Sequence, residues 1–140
     1  MPRILGIDFG DRRMGIAVSD ELGLTAQPLA ALEVREDGGH LGEVARLCQE
    51  RGVERVVVGL PRNMNGSLGP RAQLTLEFAK ALAARLQLPV ETWDERLTTR
   101  QAERSLRDRG LTHKRRKARR DVVSAQLILQ GYLDAQGRSR

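Results

Sequence analysis

Aromatic residues are scarce: two Phe, one Tyr and one Trp make up 3% of the chain. Exposed aromatic platforms for stacking bases are therefore not expected, and the core has to be built from Leu, Val, Ile and Ala. Cysteine is limited to Cys48, so no internal disulfide can form, which fits a reducing compartment. No apolar run approaches the ~20 residues of a membrane-spanning helix, and the first residues carry no signal-peptide pattern. A cytoplasmic protein with no membrane partner is the expectation. His40 and His113 have no Cys or His at zinc spacing and are expected on the surface. No serine stands in a Gly-x-Ser-x-Gly context, which argues against a nucleophilic serine.

Charge is plentiful and unevenly placed. The 140 residues carry a net charge of +6, with 40% hydrophobic and 30% charged residues, globular values for one domain. That domain is expected to occupy residues 1–135, followed by a frayed tail at 136–140. Residues 96–120 hold eleven Arg or Lys against Glu103 and Asp108, a local charge of +9 that leaves −3 for the rest. Basicity of this kind is one localised patch, suited to a polyanionic partner.

Two apolar runs, residues 4–7 and 14–18, flank a short polar segment with Gly10 and read as two β-strands joined by a tight turn. Asp8 closes the first. A carboxylate there weakens strand propensity and, on a central strand, needs a partner for its charge. Gly6 and Gly10 are expected to leave the backbone around it open to a phosphate chain. A third strand lies within 24–35, where Pro28 suits an edge. After Gly38-Gly39, the spacing of Leu41, Val44, Ala45 and Cys48 predicts a helix ending near Gly52. Residues 55–60 alternate little, as in a strand covered on both faces and paired in parallel. The loop 61–70 holds the turn dipeptide Asn65-Gly66, and Pro70 can start the next helix.

That helix, over 71–87, is expected to turn Leu74, Phe78, Ala81 and Leu82 inward. Residues 90–94 form a short strand. Thr98 and Gln101 have capping-box spacing, opening a helix that buries Ala102 and Leu106 and stops at Gly110. Val122, Ala125, Leu129, Tyr132 and Leu133 mark one face of a last helix. The order predicts an α/β fold: a five-stranded mixed sheet, three antiparallel then two parallel strands, with helices on both faces. The first strand can then be central, with Asp8 over the middle of the sheet.

Four acids stand at the ends of elements: Asp8, Asp94, Glu95 and Asp121. Singly, each has an ordinary use: Asp8 in the turn, Asp94 and Glu95 paired with Arg96 on the surface, Asp121 at the positive end of a helix. Together they form a constellation that would take up protons or bind a cation, and oxygen-only ligation selects Mg²⁺ or Mn²⁺. Such a site can activate water and stabilise the leaving oxygen in phosphodiester hydrolysis. Just before Asp121 run Lys114, Arg115, Arg116, Lys117, Ala118, Arg119 and Arg120, six like charges in seven residues. The run reads as a solvated loop or as a clamp on a phosphate backbone, without sequence preference.

In order along nearly the whole chain, several motifs resemble those of the YqgF (RuvX) family of pre-16S rRNA nucleases, also called Holliday junction resolvases. They are Gly6-Ile7-Asp8-Phe9-Gly10, Arg13-Met14-Gly15-Ile16-Ala17-Val18-Ser19-Asp20, Val58-Gly59-Leu60-Pro61, Met64-Asn65-Gly66-Ser67, Gly69-Pro70-Arg71-Ala72, Asp94-Glu95-Arg96-Leu97-Thr98-Thr99 and Asp121 with Ala125, Ile128, Leu129, Tyr132 and Leu133. The resemblance implies a ribonuclease H-like fold and metal-dependent endonuclease activity maturing the 5′ end of 16S rRNA, with branched DNA as the alternative substrate. It carries the catalytic and metal-binding roles to Asp8, Glu95 and Asp121. Related resolvases often place a second acid one turn along the last helix, where this chain has Ser124.

The leading reading is thus a nuclease in which these three acids hold Mg²⁺ or Mn²⁺, residues 114–120 position the strand, and Arg13, Arg71 and Arg96 add phosphate contacts, in a monomer or weak homodimer. Two others compete. Asp8-Phe9-Gly10 in a hairpin also resembles the first phosphate loop of actin-like ATPases and sugar kinases, but those clasp a nucleotide between two such domains and 140 residues supply one; no Gly-x-x-x-x-Gly-Lys-Ser/Thr loop is present either. A nucleic-acid-binding module without catalysis would use the basic run alone.

Overall fold

The computed structural model describes residues 2–97 and 120–138, with side chains for 2–97 and 122–137. Strands β1 (Arg3–Phe9), β2 (Arg13–Ser19) and β3 (Ala26–Glu33) are followed by α1 (Gly39–Arg51), β4 (Val53–Leu60), α2 (Pro70–Leu86) and β5 (Val90–Asp94). A 3-10 turn, Glu95–Leu97, and helix α3 (Arg120–Arg138) complete the described elements. The capping box at Thr98 and Gln101, the helix to Gly110, His113 and residues 114–119 lie outside the described residues. Helix α3 runs past Gln136, where a tail is expected to begin.

The sheet order is β3-β2-β1-β4-β5. β1 pairs antiparallel with β2 and parallel with β4; β2–β3 is antiparallel and β4–β5 parallel. β1 is therefore the central strand, as the element order predicts. Successive side chains of a strand face opposite ways, and the two faces have different covers. Leu5, Ile7, Val56 and Val58 pack with Val44, Cys48, Phe78 and Leu82 under α1 and α2. Val57, with Ile4 and Ala17, packs instead beneath Ala125, Ile128, Leu129 and Leu133 of α3. This is why the Val56-Val57-Val58 run has no polar alternation: all three are fully buried.

Pro28 stands in edge strand β3, where the register against β2 slips between Ile16 and Ala17. A residue without an N–H costs least there. On α2 the inward face is Ala72, Thr75, Phe78, Ala79 and Leu82, so the expectation holds for Phe78 and Leu82 and fails for Leu74 and Ala81. The helix carries two apolar stripes. The buried one includes Thr75, whose hydroxyl donates to the Arg71 carbonyl at 3.0 Å and so loses its polar cost. Leu74 and Ala81 line a groove of about 380 Å³ with Phe9, His40, Leu41 and Phe78.

His40, expected on the surface, is buried. Its Nδ1 accepts the Arg35 N–H at 3.0 Å, and its ring lies 6.0 Å from Phe78, itself stacked on Phe9 at 4.1 Å. A satisfied nitrogen and two ring neighbours make a polar residue tolerable inside. Cys48 is buried on α1, and burial pushes its thiol up to about 11.

Candidate active site

Asp8 sits next to the end of the central strand, opposite Gly15 of β2, half-buried at the rim of the sheet. Strand alternation puts it on the face of Ile4 and Gly6, which α3 covers. A Cβ on Gly6 would lie 2.7 Å from Leu129 Cβ and 3.3 Å from the Ala125 carbonyl oxygen; the missing side chain lets α3 settle against β1. At Gly10 a Cβ would meet the Arg13 carbonyl oxygen at 2.4 Å. These glycines, expected to open the backbone to a phosphate chain, are instead filled by the protein's own atoms.

Glu95 enters from the other end of the chain. It opens the 3-10 turn directly after β5, and its carboxylate folds back over β4, so that a Cβ on Gly59 would sit 2.7 Å from Glu95 Oε1. There it is raised from 4.5 to about 7, first by desolvation, then by the charges of Asp8 and Asp94, with Arg71 opposing. Two acids 87 positions apart in sequence thus share one electrostatic site.

Asp94, adjacent in sequence, does something else. Arg96 donates to it through Nε at 3.0 and 3.1 Å, Nη2 at 2.7 Å and its backbone N–H at 3.0 Å, and Arg62 stands 4.0 Å away. The Arg96 hydrogen bonds hold its carboxyl below the usual range. The two neighbours therefore divide: Asp94 is matched with cations, while Glu95 faces Asp8.

Asp121 stands in the first turn of α3. The helix direction follows from its contacts. Ala125 and Leu129 lie over Gly6, whereas the Tyr132 hydroxyl meets Arg55 near the start of β4 at 2.9 Å and Glu91 near the start of β5 at 2.8 Å. The helix runs against β1, and its first turn points to the strand ends where Asp8 and Glu95 lie. The Asp121 and Arg120 side chains are outside the described residues. Among those described, no group of three or more His, Cys, Asp or Glu is placed to hold a metal; Asp8 and Glu95 are a pair.

Of the predicted phosphate contacts, Arg71 is turned inward. It donates to Asp11 and to the Phe9 carbonyl, and its guanidinium lies 5.2 Å from the Phe9 ring centroid, pinning α2 to the hairpin beside Asp8. Arg96 is exposed but engaged with Asp94, and Arg13 is exposed on the first residue of β2. Gly59 as the seat of Glu95 went unread in the sequence. Its signal is a glycine inside a buried strand, which marks a close approach.

The chemistry of the pair has a measurable consequence. Between about pH 4.5 and 7 the folded chain retains a Glu95 proton that the unfolded chain has released. The raised value therefore favours the fold on the acid side, and that contribution is lost as pH rises through about 7. Without divalent ions, the Tm of the wild type is expected to fall more steeply than that of Glu95→Gln from about pH 5 to about pH 8. Parallel melting profiles would show that Glu95 titrates normally.

Residues 2–135 match the RuvX family, described as Holliday junction resolvase. A protein of Pelotomaculum thermopropionicum named pre-16S rRNA nuclease is 48% identical over 139 residues, 99% of this chain and 90% of its own. One of Symbiobacterium thermophilum with the same name is 50% identical over 133 residues, 95% of this chain and 92% of its own. Among solved structures, Thermus thermophilus RuvC in complex with a Holliday junction substrate has a TM-score of 0.68 at 18% identity, covering 99% of this chain and 98% of the other. The shared architecture is the ribonuclease H-like fold.

Proposed function

The chain belongs to the RuvX family, and from that membership we propose that it is a metal-dependent endonuclease whose substrate is the 5′ end of pre-16S rRNA. It is a nuclease, a hydrolase of phosphodiester bonds. The observation that carries the site assignment is the seating of Glu95 over Gly59 of β4, the strand beside the end of β1 where Asp8 stands, with the Asp8 charge among the causes that raise it. Two mutually repelling carboxylates in a desolvated position form a hard-oxygen donor set that a divalent cation would neutralise, which suits Mg²⁺ or Mn²⁺. Asp8, Glu95 and Asp121 are the residues assigned to hold it. When bound, such an ion polarises the phosphoryl oxygen and lowers the pKa of water.

The chain's own residues supply the rest. Asp8 is held by the central strand and Glu95 by its seat over Gly59, so the donor positions are fixed before substrate arrives. Arg71 brings positive charge to the same edge. Residues 114–120 are assigned to the phosphate backbone, giving steep salt dependence. No helix among the described residues is long and apolar enough to cross a membrane, and the reading places the protein with precursor rRNA in the cytoplasm.

Branched DNA is the second reading, favoured by the family description. Side-by-side digestion of a precursor 16S 5′-end RNA and a four-way DNA junction, each with Mg²⁺ or Mn²⁺, decides between them. The expected result is site-specific RNA cleavage by the wild type and none by Asp8→Asn. Cleavage confined to the junction would transfer the assignment to DNA, and wild-type cleavage by Asp8→Asn would remove Asp8 from the mechanism.

A further inference from the structure

The loop between β4 and α2 holds the motif Met64-Asn65-Gly66-Ser67, to which the hydrolytic site gives no task. Met64 is 97% exposed, and yet the loop beneath it is tightly built. The Asn63 N–H donates to the Ser67 carbonyl at 3.0 Å, and the Gly66 N–H to the Asn63 carbonyl at 2.8 Å. Asn65 Oδ1 accepts the Ser67 N–H at 3.0 Å and its hydroxyl at 2.6 Å. Asn63 Nδ2 donates to Ser67 Oγ at 2.9 Å, while Gly66 takes φ 86° to close the turn. So many internal hydrogen bonds fix the backbone and leave the Met64 side chain projecting into water.

The loop is also tied to the acids. Arg62 donates to the Gly66 carbonyl at 3.1 Å, and Arg96, the residue after Glu95, reaches the Met64 carbonyl at 3.4 Å. Both arginines flank Asp94, so the rim around Met64 carries two cations for one anion. An apolar tip with a cationic rim beside a phosphodiester-cleaving site suits a nucleic acid, whose backbone the cations can meet and whose bases the tip can reach.

Aromatic supply narrows the role. The four aromatic residues pack in pairs within the fold: Phe9 and Phe78 stack on each other, and Trp93 and Tyr132 pack edge to face at 5.6 Å, with Phe78 and Tyr132 buried and Phe9 and Trp93 half-buried. None of the four is among the exposed large hydrophobic residues, whereas Met64 is the most exposed of those described. Methionine, unbranched and polarisable, suits a base face and belongs to the residues that wedge between base steps.

We infer that Met64 is a base-contacting wedge, which enters the stack next to the scissile phosphate at the Asp8–Glu95 site and selects where an otherwise backbone-directed nuclease cuts. The inference rests on the nuclease reading and adds to it a residue that touches a base. Backbone contacts carry no sequence information directly, whereas a wedge favours steps that unstack easily.

The test uses Asp8→Asn protein, which holds substrate without cutting, and precursor 16S 5′-end RNAs with 2-aminopurine at single positions, followed by fluorescence and by Kd. Unstacking at one or two adjacent positions is expected. M64S in the same background should abolish the signal and weaken binding by roughly tenfold, the scale of one stacked base, while M64L retains both. At 97% exposure the substitution should leave Tm unchanged. Equal signal and Kd for M64S, no fluorescence change at any position, or an effect confined to self-association would each overturn the inference. Failure of the wild type to cut any nucleic acid would instead remove the nuclease reading, and the fluorescence map is read independently of cleavage.

Discussion

Replacing Asp8 by Asn is expected to lower single-turnover cleavage by about a thousandfold with little change in nucleic-acid affinity. The side chain keeps its shape and loses its charge. Divalent cations supply several kcal/mol of transition-state stabilisation, and about 4 kcal/mol corresponds to that factor in rate. On the proposed assignment affinity comes from the cations of residues 114–120, whose charge the substitution leaves unchanged. Two further readouts separate a lost ligand from a damaged fold. Asp8 is one of the charges that raise Glu95 to about 7, so in Asp8→Asn the Glu95 carboxyl should titrate lower, though still above 4.5 because desolvation remains. With one of the charges that raise Glu95 removed, the metal-free variant should lose less Tm than the wild type between about pH 5 and about pH 8. Carboxyl NMR and a chelator-treated melt check the two. A Glu95 titration indifferent to Asp8 would mean that the acids do not share a site.

How far the sequence could go is visible in the same residues. The hairpin, the doubly covered β4 and the edge position of Pro28 follow from hydrophobic period and missing N–H groups, which are local properties. The centrality of β1 follows from element order, because parallel β4 has to reach back over a helix. Patterns gave out where a decision depends on the phase of a helix or the path of a short turn. Leu74 and Thr75 differ by one position on α2, and the buried stripe is the one that joins Thr75 to Ala72, Phe78, Ala79 and Leu82, its hydroxyl satisfied inside the helix by the Arg71 carbonyl. His40 is buried because Phe9 and Phe78 come together from distant segments. Asp94 and Glu95 are chemically near-equivalent in sequence. A 3-10 turn sends one to Arg96 and the other over Gly59, and no spacing rule encodes that division.

Gly59→Ala puts this seating of Glu95 under direct strain and is expected to reduce cleavage by about a hundredfold, the scale of a misplacement near 1 Å at a reacting centre. The added methyl would lie 2.7 Å from Glu95 Oε1, 2.4 Å from Ile128 Cδ1 and 2.9 Å from Ile128 Cγ1. Both neighbours are ends of side chains, so the protein should still fold, with an overpacking cost of about 1–3 kcal/mol. Stability and activity then come apart in a second variant. Ile128→Val deletes the closest clashing atom and costs roughly 1 kcal/mol alone, so Gly59→Ala/Ile128→Val should recover part of the lost Tm, a favourable coupling in the double-mutant cycle. It does nothing for the carboxylate, which the methyl still displaces, and cleavage should stay low. If activity returned together with Tm, the effect of Gly59→Ala would lie in the packing of α3 on the sheet, and the bare backbone of β4 would not be what holds Glu95 toward Asp8.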